Sequence, residues 1–434
     1  MLMGEVVLVI ALLSTLIWAG LLAFWGQFWR CDQRLERSSE SGVESSEFKV
    51  ESSEIKELIT PYPLPRNPFS PSICVIIPAR NEADMLPMTL RSLLLQNYPG
   101  QLHIILVDDQ STDGTGTIAE AIAQELSQSK KLTVISAKPL PAGWTGKLWA
   151  MEQGVQHAQT FDPLPDYFLL TDADIEHDRA NLRQLVTKAQ QDNLDLVSLM
   201  VLLRCQSFWE KLLIPAFVFF FQKLYPFPWV NNPNRAIAAA AGGCILMRRE
   251  ALSAIGGLQS LRQALIDDCS LAQKVKGQEI SQTEKSDHSS SATSGKIWLG
   301  LTQTTRSLRP YDTLATIWDM VARTAYTQLG YSPFLLVGTV FGMTLVYLVS
   351  PIAALSGALT QNWMLSAAGF LGWALMTIAY LPNIRLYGLS VLWAICLPAT
   401  ALLYNLMTID SAIRHWRGQG GAWKGRVYPT SEAP

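Results

Sequence analysis

Charged residues are scarce in this chain, and neither sign prevails. Asp, Glu, Lys and Arg make up 16% of the 434 residues, and the formal net charge is -2. Proteins that bind nucleic acid over a broad surface carry a clear excess of basic residues. The composition therefore argues against nucleic acid as a partner. Hydrophobic residues, in contrast, make up 49% of the chain, and the length allows two or three domains.

Paired cysteines and metal-binding spacings are also missing. The six cysteines form no C-x-x-C pair, and none stands at ligand spacing from the five histidines. Such a pattern indicates neither a zinc site nor a disulfide framework. Isolated buried thiols are typical of a protein in a reducing compartment.

Basic residues are absent before the first apolar run, and no small-x-small cleavage site follows it. The run, Val6–Phe24, is uncharged and long enough to cross a bilayer, and its flanks do not suit a cleaved signal peptide. Arg30, Arg34 and Arg37 follow it, and arginines concentrate on the cytoplasmic side of a membrane. Residues 1–30 are therefore predicted to anchor the protein in the inner (cytoplasmic) cell membrane, with the following domain in the cytoplasm.

Three further apolar runs lie near the other end of the chain: Phe334–Leu355, Trp363–Leu381 and Leu389–Met407. They predict a multi-pass protein with a C-terminal membrane region at residues 331–410 and a basic tail at 411–434. Three full spans would leave the basic tail outside, against the positive-inside tendency. We therefore expect one run, best the last one with Pro398 inside it, to be re-entrant or interfacial.

Large apolar side chains are few in two polar segments. Residues 31–70 are rich in Ser and Glu and cannot bury enough surface to fold alone, so they are interpreted as a linker. Residues 277–295 are polar and rich in Ser and are predicted to be a disordered insertion. The insertion lies within residues 71–330, where apolar runs alternate with helical patterns.

This alternation predicts an α/β domain with a mostly parallel sheet and helices on both faces. The predicted strands are Ile73–Pro78, Leu102–Val107, Leu132–Ser136, Tyr167–Thr171, Cys244–Met247 and Ile297–Leu301. Ligands bind such sheets at the carboxyl ends of the strands. Polar residues follow the first, second and fourth strands there, so we expect them to meet in one crevice.

The acids after the fourth strand suggest the ligand. Asp172 and Asp174 stand one residue apart at the end of an apolar run, where a turn lets both carboxylates address one hard cation. Mg²⁺ or Mn²⁺ prefers such oxygens and keeps places open for substrate phosphates. The pair is interpreted as the site of a metal-bound nucleotide diphosphate, with two solvated acids in a turn as the alternative.

The segment Phe208–Val230 departs from the sheet pattern. It is apolar and aromatic but interrupted by Lys211 and Lys223, which favours an interfacial helix with snorkelling lysines. The alternative is a buried core helix. An interfacial helix at residues 208–230 would bring the crevice close to the bilayer.

Six motifs occur in one order over about residues 73–310: Pro78-Ala-Arg-Asn-Glu82, Val107-Asp-Asp-Gln-Ser-Thr-Asp-Gly114, Gly146-Lys147, Thr171-Asp-Ala-Asp174, Gly242-Gly243 and Asp267-Asp268. The set resembles the family 2 glycosyltransferases of the inverting, GT-A type. More narrowly, Phe208–Phe227, Ser307–Tyr311 and Ala322–Gln328 resemble the hopene-associated, HpnB-like glycosyltransferases.

The resemblance implies a GT-A fold with transmembrane helices at both ends, and a nucleotide-diphospho-sugar donor, most simply a UDP-sugar. It assigns uridine contacts to Ala79, Arg80, Glu82 and Asp109, with Asp108 supporting that loop. It places Lys147 near the base or the phosphates. The glycines Gly242 and Gly243 would let the backbone approach the ligand closely.

The same resemblance implies the metal and the catalytic acids. Asp172 would reach the ribose or the sugar beside the metal, and Asp174 the metal itself. Asp268 would be the catalytic base. Asp267 stands where the family often has Glu, and exchange of roles between the two acids stays open.

A motif of the processive members of the superfamily, Gln-x-x-Arg-Trp, is missing after Asp268. We therefore predict transfer of one sugar to a lipid or isoprenoid, hopanoid-like acceptor that arrives from the bilayer. In place of the arginine of the missing motif, Arg306 or Arg323 could contact the diphosphate, since guanidinium binds phosphate through a fork of donors. The alternatives are a processive polysaccharide synthase and a non-catalytic protein that binds nucleotide sugars at the membrane.

Overall fold

A computed structural model describes residues 2–35, 70–277, 279–280, 293–418, 422–423 and 426–427. Most of the predicted linker at 31–70 lies outside the described residues, as do most of the insertion at 277–295 and of the tail beyond residue 418. Two short ribbons border these gaps: Glu279–Ile280 with Thr293–Ser294, and Ala422–Trp423 with Arg426–Val427.

An eight-stranded sheet forms the centre of the described α/β domain. Its strands are β1 (Ile73–Ala79), β2 (Leu102–Asp108), β3 (Leu132–Ser136), β4 (Tyr167–Thr171), β5 (Ile175–Glu176), β6 (Leu196–Leu202), β7 (Cys244–Arg248) and β8 (Ile297–Ser307). Their order across the sheet is β3-β2-β1-β4-β7-β6-β8-β5.

Parallel pairing prevails in this sheet, as predicted. The pairs β3–β2, β2–β1, β1–β4 and β6–β8 are parallel, whereas β7 runs antiparallel to both β4 and β6 and β5 runs antiparallel to β8. Every residue of β1 is buried, because helices cover both faces of a parallel sheet. The predicted α/β fold with a mostly parallel sheet is confirmed.

Helices between and after the strands complete the described α/β domain, and most of them pack on the two faces of the sheet. They are α2 (Leu86–Leu94), α3 (Thr115–Glu125), α4 (Gly146–Ala158), α5 (Asn181–Gln191), α6 (Phe208–Leu224), α7 (Phe227–Val230), α8 (Arg249–Ala254), α9 (Asp267–Gly277), α10 (Leu314–Ala322) and α11 (Ala325–Gln328). Two separate apolar cores result, one on each face.

Several boundaries and elements differ from the predicted ones. The helix α5 and the strand β6 were not predicted, although Leu182, Leu185, Val186 and Ala189 follow a helical period and are buried. The last strand continues to Ser307 instead of ending at Leu301, because a register shift after Leu301 lets it pair again with β6 and then with β5.

The segment Phe208–Val230 forms two helices rather than one, with a break before Pro226. Its longer part, α6, lies between the sheet domain and the apolar helices, with Leu213 and Phe219 in a core that both share. Lys223, which was predicted to snorkel, lies against a neighbouring apolar helix. Its ammonium donates to the Tyr347 hydroxyl at 2.9 Å, since neighbouring helices cover this side of α6.

The apolar parts of the chain form long helices, as predicted. They are α1 (Leu2–Phe24), α12 (Pro333–Met343), α13 (Val349–Leu359), α14 (Trp363–Leu386) and α15 (Leu397–Trp416). A π-helical turn, Thr344–Leu348, joins α12 to α13, and a 3-10 helix, Val391–Cys396, precedes α15. In the part of the chain that the structure describes, four segments are long and apolar enough to cross a membrane: Glu5–Phe24, Pro333–Leu359, Trp363–Leu386 and Val391–Trp416.

The last helix does not end at the predicted boundary of residue 410. It continues to Trp416 because polar contacts hold its final turns. Arg414 pairs with Asp410 one turn earlier, at 2.7 Å, and with Asp319 of α10, also at 2.7 Å. The end of this helix therefore lies against the α/β domain.

Candidate active site

A cleft of about 790 Å³ opens at the carboxyl ends of β1 and β4. Eight of the predicted site residues line it: Glu82, Lys147, Asp172, Asp174, Gly242, Gly243, Asp267 and Asp268. They come from five separate stretches of the chain, so the sheet topology brings together what the sequence keeps apart. The predicted convergence at one edge of the sheet is therefore seen for these residues.

Lys147 lies among the acids of the cleft. Its ammonium is 2.7 Å from Asp172 Oδ1 and 3.7 Å from Asp267 Oδ2. Burial alone would lower the pKa of Lys147, but the charges of Asp172 and Asp267 outweigh it and raise the pKa above its usual range. This lysine therefore stays charged and partly neutralises the acidic floor of the cleft.

Asp268 is fixed by two backbone donors at the start of α9. The amide of Gly242 donates to its Oδ2 at 2.9 Å, and the amide of Cys269 donates to its Oδ1 at 2.7 Å. A Cβ on Gly242 would stand 3.3 Å from both Asp268 Oδ2 and the Lys147 ammonium, so glycine permits this close approach. Burial, followed by the charge of Asp267, raises the pKa of Asp268 to about 6.

Arg309, which follows β8, bridges two acids of the cleft. Its Nη2 is 2.7 Å from Glu82 Oε1, and its Nε is 3.1 Å from Asp174 Oδ2. The Ser307 hydroxyl also donates to Asp174 Oδ2, at 2.8 Å. Arg309 was not predicted to have a role, although it lies in the quoted Ser307–Tyr311 motif.

Carboxylate oxygens at the floor of the cleft are suitable ligands for a hard divalent cation. Arg309 and Ser307 contact Oδ2 of Asp174, and Lys147 contacts Oδ1 of Asp172. The other oxygen of each carboxylate makes no hydrogen bond among the described residues. No cluster of three or more Asp, Glu, His or Cys ligands occurs in the same part of the chain. The residues therefore fit a cation held by one or two carboxylates together with substrate phosphates.

Buried hydrogen bonds hold the Asp172–Asp174 turn. The Thr171 hydroxyl donates to the Gly243 carbonyl at 2.7 Å and lies 3.0 Å from His177 Nε2. Burial lowers the pKa of His177 to about 3, so this imidazole is neutral. The Thr89 hydroxyl donates to the Ala173 carbonyl at 2.7 Å, which fixes the residue between the two acids.

Four predicted nucleotide contacts do not line this cleft. Ala79, Arg80, Asp108 and Asp109 lie at the neighbouring ends of β1 and β2. There the amide of Asp109 donates to the Ala79 carbonyl at 2.8 Å, Arg80 donates to the Asp109 carbonyl at 2.6 Å, and Asp108 Oδ1 accepts from the Ser111 amide. Their contact with uridine stays a prediction.

The structure separates the two arginines proposed for the diphosphate. Arg306 pairs with Glu176 at 2.6 Å on an exposed strand edge and is not a lining residue, because the alternation along β8 directs it away from the cleft. Arg323 lines the cleft. Arg306 therefore does not line the cleft, whereas Arg309 and Arg323 do; which arginine contacts a diphosphate stays a prediction.

The cleft has an apolar wall on the side of the long apolar helices. Phe217 and Phe221 of α6 and Met320 of α10 line it. The opposite side of α6 packs on those helices, where the rings of Phe219 and Tyr380 are 5.1 Å apart. The helix α6 thus contacts both the acidic cleft and the candidate membrane spans.

Comparison with known proteins identifies the sheet domain. Residues 74–256 match the family model described as Glycosyl transferase family 2. The matched stretch runs from β1 to β7 and is less than half of the chain. The match agrees with the predicted glycosyltransferase class, and it ends before Asp267, Asp268 and Arg309.

Curated relatives that match part of the chain are named as glycosyltransferases. The 4,4'-diaponeurosporenoate glycosyltransferase of Staphylococcus haemolyticus is 33% identical over 105 residues, which are 24% of this chain and 24% of the relative. The enzyme of the same name from Staphylococcus aureus is 37% identical over 90 residues, 20% and 21% of the two chains. The probable glycosyltransferase YdaM of Bacillus subtilis is 35% identical over 85 residues, 19% of each chain. The aligned stretches span about a quarter of each relative or less.

Solved structures resemble the chain at low sequence identity. The mannosyltransferase PcManGT from Pyrobaculum calidifontis, in complex with GDP-Man and Mn²⁺, is 16% identical with a TM-score of 0.49, over 94% of this chain and 99% of that one. Glucosyl-3-phosphoglycerate synthase from Mycobacterium tuberculosis, in complex with Mg²⁺ and UDP, is 18% identical with a TM-score of 0.38, over 60% and 79% of the two chains. Both TM-scores lie below 0.5, so these structural similarities do not indicate a substrate for this chain.

Proposed function

We propose that the protein is a membrane-anchored, inverting glycosyltransferase that moves one sugar from a nucleotide-diphospho-sugar, a UDP-sugar in the simplest case, to a lipid or isoprenoid acceptor. The observation that carries the proposal is the composition of the cleft. Its floor holds Lys147 and the acids, and one wall consists of Phe217 and Phe221 from the helix that packs on the candidate spans. A polar donor and an apolar acceptor can meet there.

The acids and cations of the floor suit the chemistry of a single displacement. Asp268 takes the proton of the acceptor hydroxyl, whose oxygen bonds to the anomeric carbon as the bond from that carbon to the diphosphate oxygen breaks. The electron pair leaves with the diphosphate, near Lys147 and Arg309. A divalent cation at Asp174 and Asp172, when bound, supplies further neutralisation of the leaving group.

An apolar acceptor is supported by the wall of the cleft and by two relatives named for 4,4'-diaponeurosporenoate, an isoprenoid. A cleft that excludes water would also protect the donor from hydrolysis. A hopanoid-like acceptor agrees with the sequence resemblance and is part of the proposal.

Transfer to lipid can be measured in membranes that contain the protein, with a panel of labelled UDP-sugars and extraction into organic solvent. We expect label in the lipid fraction, and Asp174→Asn should lower it about a hundredfold because a charge next to the leaving group is lost. Asp192→Asn is the matched control, since Asp192 pairs with Lys188 on the surface. Label in long water-soluble polymer would favour a processive synthase, and UDP-sugar binding without product would favour a non-catalytic protein.

The C-terminus is proposed to lie on the same, cytoplasmic side as the α/β domain. Gln303 donates to the Leu386 carbonyl at the end of α14, and Arg414 near the end of α15 pairs with Asp319. Between them, Trp373 in the middle of α14 donates to the Ile395 carbonyl. The end of α14, which precedes the last apolar segment, and the end of that segment thus both contact the α/β domain, which supports a re-entrant segment.

A protease should therefore remove a C-terminal tag in sealed inside-out vesicles. A tag at the N-terminus should be protected in the same vesicles, because α1 would cross the bilayer once. Protection of the C-terminal tag would contradict the re-entrant arrangement and would favour a full fourth span.

A further inference from the structure

Arg309 already neutralises the carboxylates that the proposed function assigns to the donor. Its guanidinium bonds both Glu82 and Asp174, at 2.7 and 3.1 Å. The side chains of these acids are only 7% and 9% exposed. Carboxylates so far from water are costly without a counter-charge, so the guanidinium stabilises this floor when no donor is bound.

We propose that Arg309 is a displaceable counter-ion: it competes with a divalent cation for Asp174 and binds the diphosphate of the incoming nucleotide. The inference rests on the proposed function, since it concerns the same donor site. Two cations that share one carboxylate weaken each other's binding by mutual repulsion and by competition for the oxygens. A diphosphate offers the guanidinium the same two-oxygen geometry that it gives up at the acids.

The placement of Arg309 favours exchange over a fixed brace. Its side chain lines the cleft and is 29% exposed, so the diphosphate could reach it. It lies two residues beyond Ser307, the last paired residue of β8, and the Leu308 amide between them donates to the Asp174 carbonyl at 2.9 Å. Asp174 Oδ1 makes no hydrogen bond among the described residues, so a cation can approach before the guanidinium leaves.

Arg306 offers a matched control three residues earlier. It carries the same charge and pairs with one acid, Glu176, at 2.6 Å. Its side chain is 58% exposed and is not part of the cleft lining. Arg306→Gln and Arg309→Gln each remove one positive charge, at positions three residues apart. Only Arg309 contacts the acids of the cleft.

The decisive measurement is Mn²⁺ binding without nucleotide, by titration calorimetry or by the electron paramagnetic resonance signal of free Mn²⁺, on the full-length protein in detergent. Arg309→Gln should bind Mn²⁺ about tenfold more tightly than wild type, which corresponds to one charge-assisted hydrogen bond. Arg306→Gln should bind it as wild type does. Weaker binding by Arg309→Gln would identify a structural brace of Asp174 and overturn the proposal, as would the absence of Mn²⁺ binding in both proteins.

A second titration uses UDP in the presence of EDTA. Arg309→Gln should bind UDP about tenfold more weakly than wild type, and saturating Mn²⁺ should reduce that loss. An unchanged affinity in EDTA would contradict contact between Arg309 and the diphosphate. These equilibria need no acceptor, so a failure of lipid glycosylation would refute the proposed transfer and leave the result on Arg309 standing.

Discussion

Replacement of Asp268 by asparagine is expected to lower kcat for sugar transfer by about 10²- to 10⁴-fold, the range typical of a lost general base. Asparagine keeps the shape of the side chain, and its amide oxygen can still accept from the Gly242 amide, which now donates to Asp268 Oδ2 at 2.9 Å. It cannot take a proton from the acceptor. The loss should therefore appear in kcat, whereas the affinity for UDP should remain close to that of wild type.

Asp267→Asn is the matched comparison, since the sequence alone does not decide which of the two acids is the base. The structure distinguishes their surroundings. Asp267 lies 3.7 Å from the Lys147 ammonium, whereas Asp268 accepts from two backbone amides and has its pKa raised to about 6. A base near this pKa is deprotonated at neutral pH and still basic enough to assist a hydroxyl. A larger loss of kcat in Asp267→Asn than in Asp268→Asn would show that the roles are exchanged.

The acids at the carboxyl ends of the strands could be predicted from the sequence, because the patterns that indicate them are local. The strand Tyr167–Thr171 was predicted with its observed bounds, since a short apolar run ends directly at two acids. The acids after β1 and β4 come together because strands parallel to each other end at the same edge. Local patterns and a single topological rule were sufficient for this part of the site.

Arg309 could not be assigned in the same way. It stands more than a hundred residues beyond Glu82 and Asp174 along the chain, and an arginine after a strand has no period or spacing that indicates its partner. The register shift in β8 after Leu301 decides that Arg306 leaves the cleft and that Arg309 reaches it. Such a shift depends on packing against β6 and β5, which a pattern of apolar residues does not specify.

The embedded helix α6 shows a similar limit. Its composition favours an interfacial helix but also allows a core helix, because both expose apolar side chains to an apolar neighbour. In the structure, different sides of α6 have different neighbours. Phe217 lines the cleft, Phe219 packs on Tyr380 of α14, and the Lys223 ammonium donates a hydrogen bond to the Tyr347 hydroxyl. Only the positions of the other helices determine which side of α6 meets lipid, protein or substrate.

Replacement of Lys147 by methionine should shift the pH profile of transfer to higher pH. In wild type, kcat/KM should rise with pH through about 6, because Asp268 must lose its proton to act as base. The charge of Lys147 lowers the pKa of Asp268 and opposes the effects of burial and of Asp267. Without this charge the midpoint of the profile should rise by about one pH unit, and activity at pH 6 should fall accordingly.

Methionine at position 147 should also destabilise the fold. The variant leaves Asp172 without the ammonium that now stands 2.7 Å away. Because the Asp172 side chain is 34% exposed, the cost should be smaller than the about 3–5 kcal/mol of a fully buried pair. The folded state raises the pKa of Lys147, so the stabilisation is fully present below the usual lysine pKa and is lost only as the pH rises above it. The lower stability of Lys147→Met should therefore be measurable at neutral pH as a lower thermal unfolding midpoint.

Lys274→Met separates these effects from a general loss of charge, because Lys274 lies on the exposed side of α9, the helix that begins with Asp267 and Asp268. It should leave both the pH profile and the unfolding midpoint near those of wild type. Lys147→Arg, which keeps the charge, should keep the midpoint of the profile close to pH 6 even if the rate falls. An unshifted profile in Lys147→Met would mean that the group titrating near pH 6 is not coupled to this lysine, and the assignment of Asp268 as the base would then fail.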